Sequence, residues 1–417
     1  MSERPASVDA ASAAPAVAVA REWLQCGACA RRYPLDEVRY TCDCGGLLAV
    51  ERSAIALDRA TVDARRLSRA PADLSGVWRF REAVLDVGVD ALTTHPEGGT
   101  RLYERGGLFF KHEGENPTGS FKDRGMTVAI TQAVRLGARA VACASTGNTS
   151  ASLAAYAAQA GLPGIVFVPA GKVASGKLAQ TLAYGARCLQ VRGDFDAAMR
   201  LVREACDALG IYLVNSINPF RIEGQKTIVW ELLQDLDWQA PDWIVVPAGN
   251  LGNTSAFGKA LREALATGWI DRMPRLAAVQ ARGANPFFRS FAEGFASRHR
   301  VAAETVASAI RIGDPVSYHR AVAAIRDTNG VVTEVGDEEL MAAKRTIDGM
   351  GIGCEPASAT TLAGVERLRR EGTIAAGERV VCVLTGHVLK DPEAAWRPEG
   401  LVEIEPTVAA VEAVLAR

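Results

Sequence analysis

Between residues 107 and 384, short apolar, β-branched runs alternate with longer stretches in which apolar residues recur at every third or fourth position. The short runs predict strands at 108–111, 139–143, 164–168, 187–191, 211–214, 243–246, 275–279 and 379–384. The longer stretches predict helices at 123–136, 149–160, 174–184, 195–209, 222–236 and 254–265. This repeated alternation predicts an α/β fold with parallel or mostly parallel sheets covered by helices. Trp243-Ile244-Val245-Val246-Pro247 has no polar position, as in a strand with both faces buried. Ligands of open parallel sheets collect beyond the carboxyl ends of the strands, so the loops after the strands are where chemistry is expected.

At 417 residues the chain exceeds what one hydrophobic core fills, and two lobes plus an appendage are expected. Hydrophobic and charged contents of 48% and 23% are those of an ordinary globular protein. A formal net charge of −1 offers no footprint for nucleic acid or an anionic membrane, so neither is an expected partner. No apolar run approaches the length of a bilayer span. Residues 1–20 are rich in Ala, Ser and Pro, include Glu3 and Asp9, and read as a disordered tail rather than a signal peptide. Nine cysteines without a secretory signal point to a reducing, cytoplasmic setting and not to a disulfide framework.

The segment Glu115-Asn116-Pro117-Thr118-Gly119-Ser120-Phe121-Lys122-Asp123-Arg124-Gly125 places a lysine where a turn becomes a helix. Asn-Pro favours a bend, Gly119 admits unusual backbone angles, and Ser120 can cap a helix that begins near Phe121. A lysine in the first helical turn opposes the helix dipole, so a purely structural choice would be an acid. The plain alternative is a solvated surface lysine.

Three loops suit anionic or polar ligands. Gly249, Asn250, Leu251, Gly252 and Asn253 lie between a buried strand and a helix, where small residues let N–H groups converge and the helix dipole favours negative charge. A Gly-x-x-Gly loop alone fits a ligand-free βα turn equally well; with no Walker lysine and no Gly-x-Gly-x-x-Gly spacing, nucleoside triphosphate and NAD are disfavoured. Asn215-Ser216-Ile217-Asn218-Pro219-Phe220-Arg221-Ile222-Glu223 brings an amide, a hydroxyl and a guanidinium to a strand end, a fork suited to phosphate. The alternative there is a connection in which Arg221 pairs with Glu223. Ala144-Ser145-Thr146-Gly147-Asn148-Thr149-Ser150 holds more polar and glycine positions than a helix cap requires.

With Val380-Val381-Cys382-Val383-Leu384-Thr385-Gly386-His387, these segments resemble the pyridoxal-phosphate (PLP) enzymes of the tryptophan synthase β fold type, fold type II, and most closely the threonine synthases. Ala309-Ile310-Arg311-Ile312-Gly313-Asp314-Pro315 and Cys354-Glu355-Pro356-Ala357-Ser358-Ala359 match the same family, so the resemblance runs from the early cysteines to Pro392. It implies two α/β lobes with PLP in the cleft between them. The large lobe would comprise 51–135 and 219–417, and the small inserted lobe 136–218. Lys122 would be the catalytic lysine, tethering PLP and shuttling protons. Phe121 and Asn148 would contact the cofactor, Asn148 at the ring oxygen, and residues 249–253 would hold its phosphate. Thr385 would face the pyridine nitrogen as a neutral contact. Ser145, Thr146 and Thr149 would take the substrate carboxylate, and Asn215, Ser216 and Arg221 a substrate phosphate. The implied reaction converts O-phospho-L-homoserine and water to L-threonine and phosphate. Siblings such as threonine dehydratase or cysteate synthase share much of this set, and a PLP-binding scaffold without activity is a further alternative. Val388 stands where the family usually has glycine, and His387 reads as structural. A homo-oligomer, a dimer by the same resemblance, is expected.

Cys26, Cys29, Cys42 and Cys44 form a Cys-x-x-Cys and a Cys-x-Cys pair within 21–50, similar to a zinc-ribbon knuckle. They are candidate zinc ligands, a metal-free remnant being the alternative. Cys143, Cys188, Cys206, Cys354 and Cys382 lie in apolar patterns and read as small core residues.

Overall fold

The computed structural model describes residues 22–171, 175–193, 195–395 and 400–416; the Ala-rich tail expected at 1–20 lies outside the described residues. Three sheets are present among them. The first joins β1 (Glu22–Cys26), β2 (Arg32–Tyr33) and β3 (Leu48–Arg52) antiparallel, in the order β2-β1-β3. The second is built from β4 (Leu102–Arg105), β5 (Leu108–His112), β10 (Trp243–Pro247), β11 (Arg275–Ala281), β12 (Val331–Val335) and β13 (Val380–Leu384), in the order β12-β11-β10-β13-β5-β4. It is parallel except for β4 at its edge. The third holds β6 (Ala140–Ala144), β7 (Gly164–Pro169), β8 (Arg187–Val191) and β9 (Ile211–Leu213), all parallel, in the order β8-β7-β6-β9.

The apolar run in β10 is buried on both sides, as its pattern predicts. Ile244 and Val246 face one core with Phe257, Leu261 and Trp230, while Trp243 and Val245 face another with Leu340, Leu362 and Val365. The four-stranded sheet is likewise covered twice: Val141 and Cys143 meet Met126 and Leu153, while Ala142 and Ala144 meet Ala198 and Val202. The early antiparallel sheet is not detached, since Leu24, Leu48 and Val50 belong to the same core as Ile244.

Several elements differ from expectation. β12 and the helices Tyr318–Asp327, Asp337–Gly349 and Pro356–Arg370 were not anticipated. The helix expected at 222–236 is two, Phe220–Gln225 and Thr227–Asp235. The helix expected from 254 begins at Gly252, because Leu251 takes the left-handed conformation (φ 63°) and turns the chain early. That change puts Gly252 and Asn253 inside the first helical turn. Helices Lys122–Arg135 and Phe220–Gln225 cross very closely at two glycines: a methyl on Gly224 would collide with the Arg124 carbonyl, and one on Gly125 would lie 2.9 Å from the Arg221 carbonyl.

Candidate active site

The turn before Lys122 is fastened to the end of β13. Ser120 and Gly386 form an antiparallel bridge, Phe121 N–H donates to the Thr385 carbonyl (3.0 Å), and His387 N–H donates to the Gly119 carbonyl (2.9 Å). Gly119 has a φ of 84°, open to glycine at little cost. Ser120 is not the cap: the helix starts at Lys122, Phe121 occupies the capping position, and the Ser120 hydroxyl only receives the Lys122 N–H at 3.4 Å. The Lys122 residue keeps some exposure, but its amine is enclosed, 3.6 Å from the centroid of the Phe121 ring. Burial, and secondarily the Arg221 cation, draw that amine down to about 7, against an opposing pull from Glu355. A lysine in this state exchanges a proton near neutrality. Beside it, the buried Asp123 accepts from the N–H and hydroxyl of Thr118 at 2.7 and 2.6 Å, and burial raises its carboxyl to about 6.

Beyond β10 the chain turns through residues 249–251 into the start of the helix Gly252–Ala266. The first N–H groups of a helix have no intrahelical acceptor, and here they belong to Gly252–Ala266. Asn253 Oδ1, Thr254 Oγ1 and Gln225 Oε1 are buried without a hydrogen-bond partner. Gly249 is confined: a methyl there would lie 2.9 Å from Ile310 Cα. Asn250 is committed to the frame, donating to Ser216 Oγ (2.6 Å) and accepting from Val316 N–H (2.7 Å). A compact phosphate fits the N–H groups at this helix start together with the Thr254 hydroxyl, whereas the Asn253 and Gln225 oxygens are acceptors; PLP carries such a phosphate.

Ser145, Thr146 and Thr149 are half-buried in the loop after β6, and Asn148 is the first residue of the helix Asn148–Gln159. Ser145 Oγ receives the Gly147 N–H at 3.3 Å. Asn148 Nδ2 donates to Glu355 Oε2 (2.9 Å), while the Thr385 hydroxyl donates to Glu355 Oε1 (3.2 Å) and lies 3.0 Å from Ser358 Oγ. Glu355 is thus a member of the site that the sequence did not single out. Its only signal was an acid between Cys354 and the proline that opens the helix Pro356–Arg370.

The three residues expected to take a substrate phosphate divide. Asn215 turns its amide inward, where Oδ1 accepts from Ala144 N–H (3.0 Å) and Nδ2 donates to Ala144 O (3.1 Å). It therefore anchors the loop that starts at Ala144, and both of its polar atoms are engaged. Ser216 Oγ is held by Asn250. Arg221 is buried, donates to the Val214 carbonyl at 3.2 Å, and leaves Nε unpartnered. Among the described residues no carboxylate forms an ion pair with it. The alternative pairing with Glu223 does not occur, because Glu223 is taken by Arg52 (3.0 Å), Lys226 (2.5 Å) and Lys259 (2.6 Å). Burial without an anion draws the Arg221 guanidinium down to about 10. A buried cation without an acid partner is electrostatically suited to an anionic ligand.

Val388 opens the short turn Val388–Lys390 without adopting a left-handed φ, and Thr385 stays at the strand end. His387 accepts from Leu389 N–H through Nδ1 at 3.2 Å and lies parallel to His112, centroids 6.3 Å apart. In the antiparallel sheet, ligand atoms of Cys26, Cys29, Cys42 and Cys44 all lie within 4.8 Å of one another, with Cys26–Cys44 and Cys29–Cys42 at 3.5 Å. Zn–S bonds of about 2.3 Å give a tetrahedral edge of about 3.8 Å, so the four thiols fit that ion. Burial pushes the Cys143, Cys206 and Cys382 thiols up to about 12, consistent with inert core positions.

Residues 91–386 match the family model described as pyridoxal-phosphate dependent enzyme. The threonine synthase of Methanosarcina acetivorans is 47% identical over 384 residues, spanning 89% of this chain and 92% of that protein. The chloroplastic threonine synthase 2 of Arabidopsis thaliana is 43% identical, spanning 86% of this chain and 74% of that protein. Among solved structures, Escherichia coli threonine synthase superposes with a TM-score of 0.71 at 19% identity, covering 94% of each chain. Maize serine racemase shares the fold at a TM-score of 0.59, with 22% identity, over 69% of this chain and 88% of its own.

Proposed function

The chain belongs to the pyridoxal-phosphate-dependent enzymes and, within them, to the threonine synthases, and from that premise we propose that it converts O-phospho-L-homoserine and water to L-threonine and phosphate. The observation that carries the substrate assignment is Arg221, a buried guanidinium with no acid partner among the described residues, within electrostatic reach of Lys122.

When bound, PLP supplies an electron sink for the bonds at the substrate Cα. The N–H groups at the start of Gly252–Ala266 would hold its phosphate, and Asn148 and Thr385 would contact its ring. Lys122 Nζ would tether the cofactor and, when free, would take and return protons at the substrate Cα, Cβ and Cγ; burial draws this amine down to about 7 in the cofactor-free chain. Ser145, Thr146 and Thr149 receive the substrate carboxylate. Arg221, with Ser216, would bind the phosphate that leaves from Cγ before water adds at Cβ. Asn215 serves this site through Ala144.

In the same reading residues 136–218 form the smaller lobe, the knuckle cysteines hold one zinc ion, and the enzyme works as a cytoplasmic homodimer. Among the described residues no helix is long and apolar enough to cross a membrane. The deciding experiment follows phosphate and threonine release from O-phosphohomoserine, beside O-phosphoserine with sulfite and L-threonine alone. Turnover confined to O-phosphohomoserine supports the assignment; turnover only of either alternative overturns it.

A further inference from the structure

The chain between Cys29 and Cys42 touches two elements of the site at once. The Leu35 carbonyl takes the Gln132 amide (2.7 Å) from the far end of the helix that begins at Lys122. Tyr40 lies against β9, the edge strand of the four-stranded sheet; its ring is tilted on Tyr212, centroids 5.6 Å apart, and packs against the apolar residues on both faces of that sheet. Its hydroxyl accepts the Leu213 N–H at 2.7 Å.

That bond falls at a sensitive place. β9 has three residues and pairs on one side only, with β6. Val214 N–H turns inward to the Ala142 carbonyl (2.9 Å), so the polar groups of Leu213, one residue earlier, face outward. An edge strand leaves such groups unpaired unless something covers them. Here Tyr40 takes the N–H, and Asn218 Nδ2 donates to the carbonyl at 2.8 Å. Asn218 Oδ1 in turn accepts from Phe220 N–H (3.0 Å), where the helix carrying Arg221 begins, and the Arg221 guanidinium donates to the carbonyl of Val214. We propose that Tyr40 is a positioning residue for the substrate phosphate: by holding the outer edge of β9 at Leu213 it fixes the Val214 carbonyl and Asn218, the two groups that aim Arg221. Without that clasp a three-residue strand paired on one side frays, and Arg221 loses its fixed direction. Residues 249–253 keep their own supports in Ser216 and Val316.

This inference rests on reading Arg221 as the ligand of the substrate phosphate, and the test separates the two. Tyr40→Phe keeps the ring and removes the acceptor; Tyr40→Leu removes both. In the PLP-loaded protein without substrate, amide exchange over 211–216 should quicken in both variants and stay unchanged over 252–260. The Kd for inorganic phosphate, read from its effect on the melting temperature, and the KM for O-phosphohomoserine should both rise about two- to tenfold in Tyr40→Phe, the weight of one neutral hydrogen bond, and further in Tyr40→Leu. The kcat and the visible spectrum of bound PLP should hold. Unchanged phosphate affinity and KM in Tyr40→Phe overturn the proposal even where the melting temperature falls, since that is all a purely structural tyrosine would do. A fall in kcat with KM unmoved overturns it as well. A parent that does not respond to phosphate sinks the Arg221 reading and this proposal together; a parent and a Tyr40→Phe that respond equally sink the role of Tyr40 alone.

Discussion

Replacing Arg221 with Met keeps the aliphatic stem and removes the charge, and the structure gives the two consequences opposite signs. Burial lowers the guanidinium from 12.5 to about 10. At about 1.4 kcal/mol per tenfold, holding that cation without an anion costs about 3 kcal/mol. Below pH 10 both the folded and the unfolded chain carry the charge, so the penalty is constant across any practical assay range and recedes only between about 10 and 12.5. Against this gain, the substitution leaves the Val214 carbonyl without its donor, worth about 1–3 kcal/mol. Arg221→Met should therefore leave the ligand-free stability unchanged or raise it by up to about 2 kcal/mol. Function should move the other way. In the PLP-loaded parent, phosphate at a hundred times its Kd should add about 2.7 kcal/mol of stability, and in the variant it should add none. The kcat/KM for O-phosphohomoserine should drop on the order of ten- to several hundred-fold, with the visible spectrum of bound PLP unaltered. Thermal melts with and without phosphate, alongside steady-state kinetics, read all three. If the variant loses several kcal/mol of stability, as a broken buried ion pair would, or still responds to phosphate, then Arg221 is a structural cation and the reasoning fails.

Borohydride treatment of the PLP-loaded protein should fix the label to Lys122 and to no other lysine, and Lys122→Ala should keep the fold while losing turnover. PLP capture by the cofactor-free chain should quicken as pH rises through about 7, where the enclosed amine gives up its proton, whereas a midpoint near 10 would contradict the enclosure. The same depressed value costs stability in full below 7 and progressively less up to 10.5, so stability of the cofactor-free Lys122→Met variant should exceed the parent's most at low pH. Elemental analysis should find one zinc per chain, reduced in Cys42→Ser; full occupancy in that variant, or an active protein without metal, would exclude the four-thiolate site. Gly224→Ala should destabilise by several kcal/mol and lower activity, because its methyl drives apart the helices carrying Lys122 and Arg221; a measured loss below about 1 kcal/mol would mean that the crossing yields.

What could be read from the chain follows from how local each signal is. β10 and β13 are apolar at every position and flanked by turn residues, so type and place were both legible. β12 was missed although Asn329 and Gly330 precede a β-branched run, because the interrupting Glu334 breaks the pattern over so short a strand. The start at Gly252 could not be foreseen, since nothing in the identity of Leu251 announces a left-handed residue. Lys122 and the loop 249–253 proposed for the cofactor phosphate were visible as contiguous motifs. Glu355 was not, because its meaning lies in partners 207 and 30 residues away. Asn215 shows the converse: a polar residue in a matching motif, whose amide proves to serve the backbone of another loop.

Glu223 gathers Arg52 from β3, Lys226 from beside its own helix and Lys259 from the helix Gly252–Ala266, and the Lys259 ammonium also meets the Val50 carbonyl. Arg320, one turn beyond the Val316 that grips Asn250, donates to the Leu48 carbonyl. In this chain the cysteine-bearing segment is consequently not a module that can be clipped off at a loop boundary without opening the main core. A chain shortened to residue 53 would lose Leu24, Leu48 and Val50 from the main core and Arg52 from its central carboxylate, so its failure would report a missing wall, not a missing metal. Questions about the metal belong to point substitutions at the thiols, where the wall remains standing.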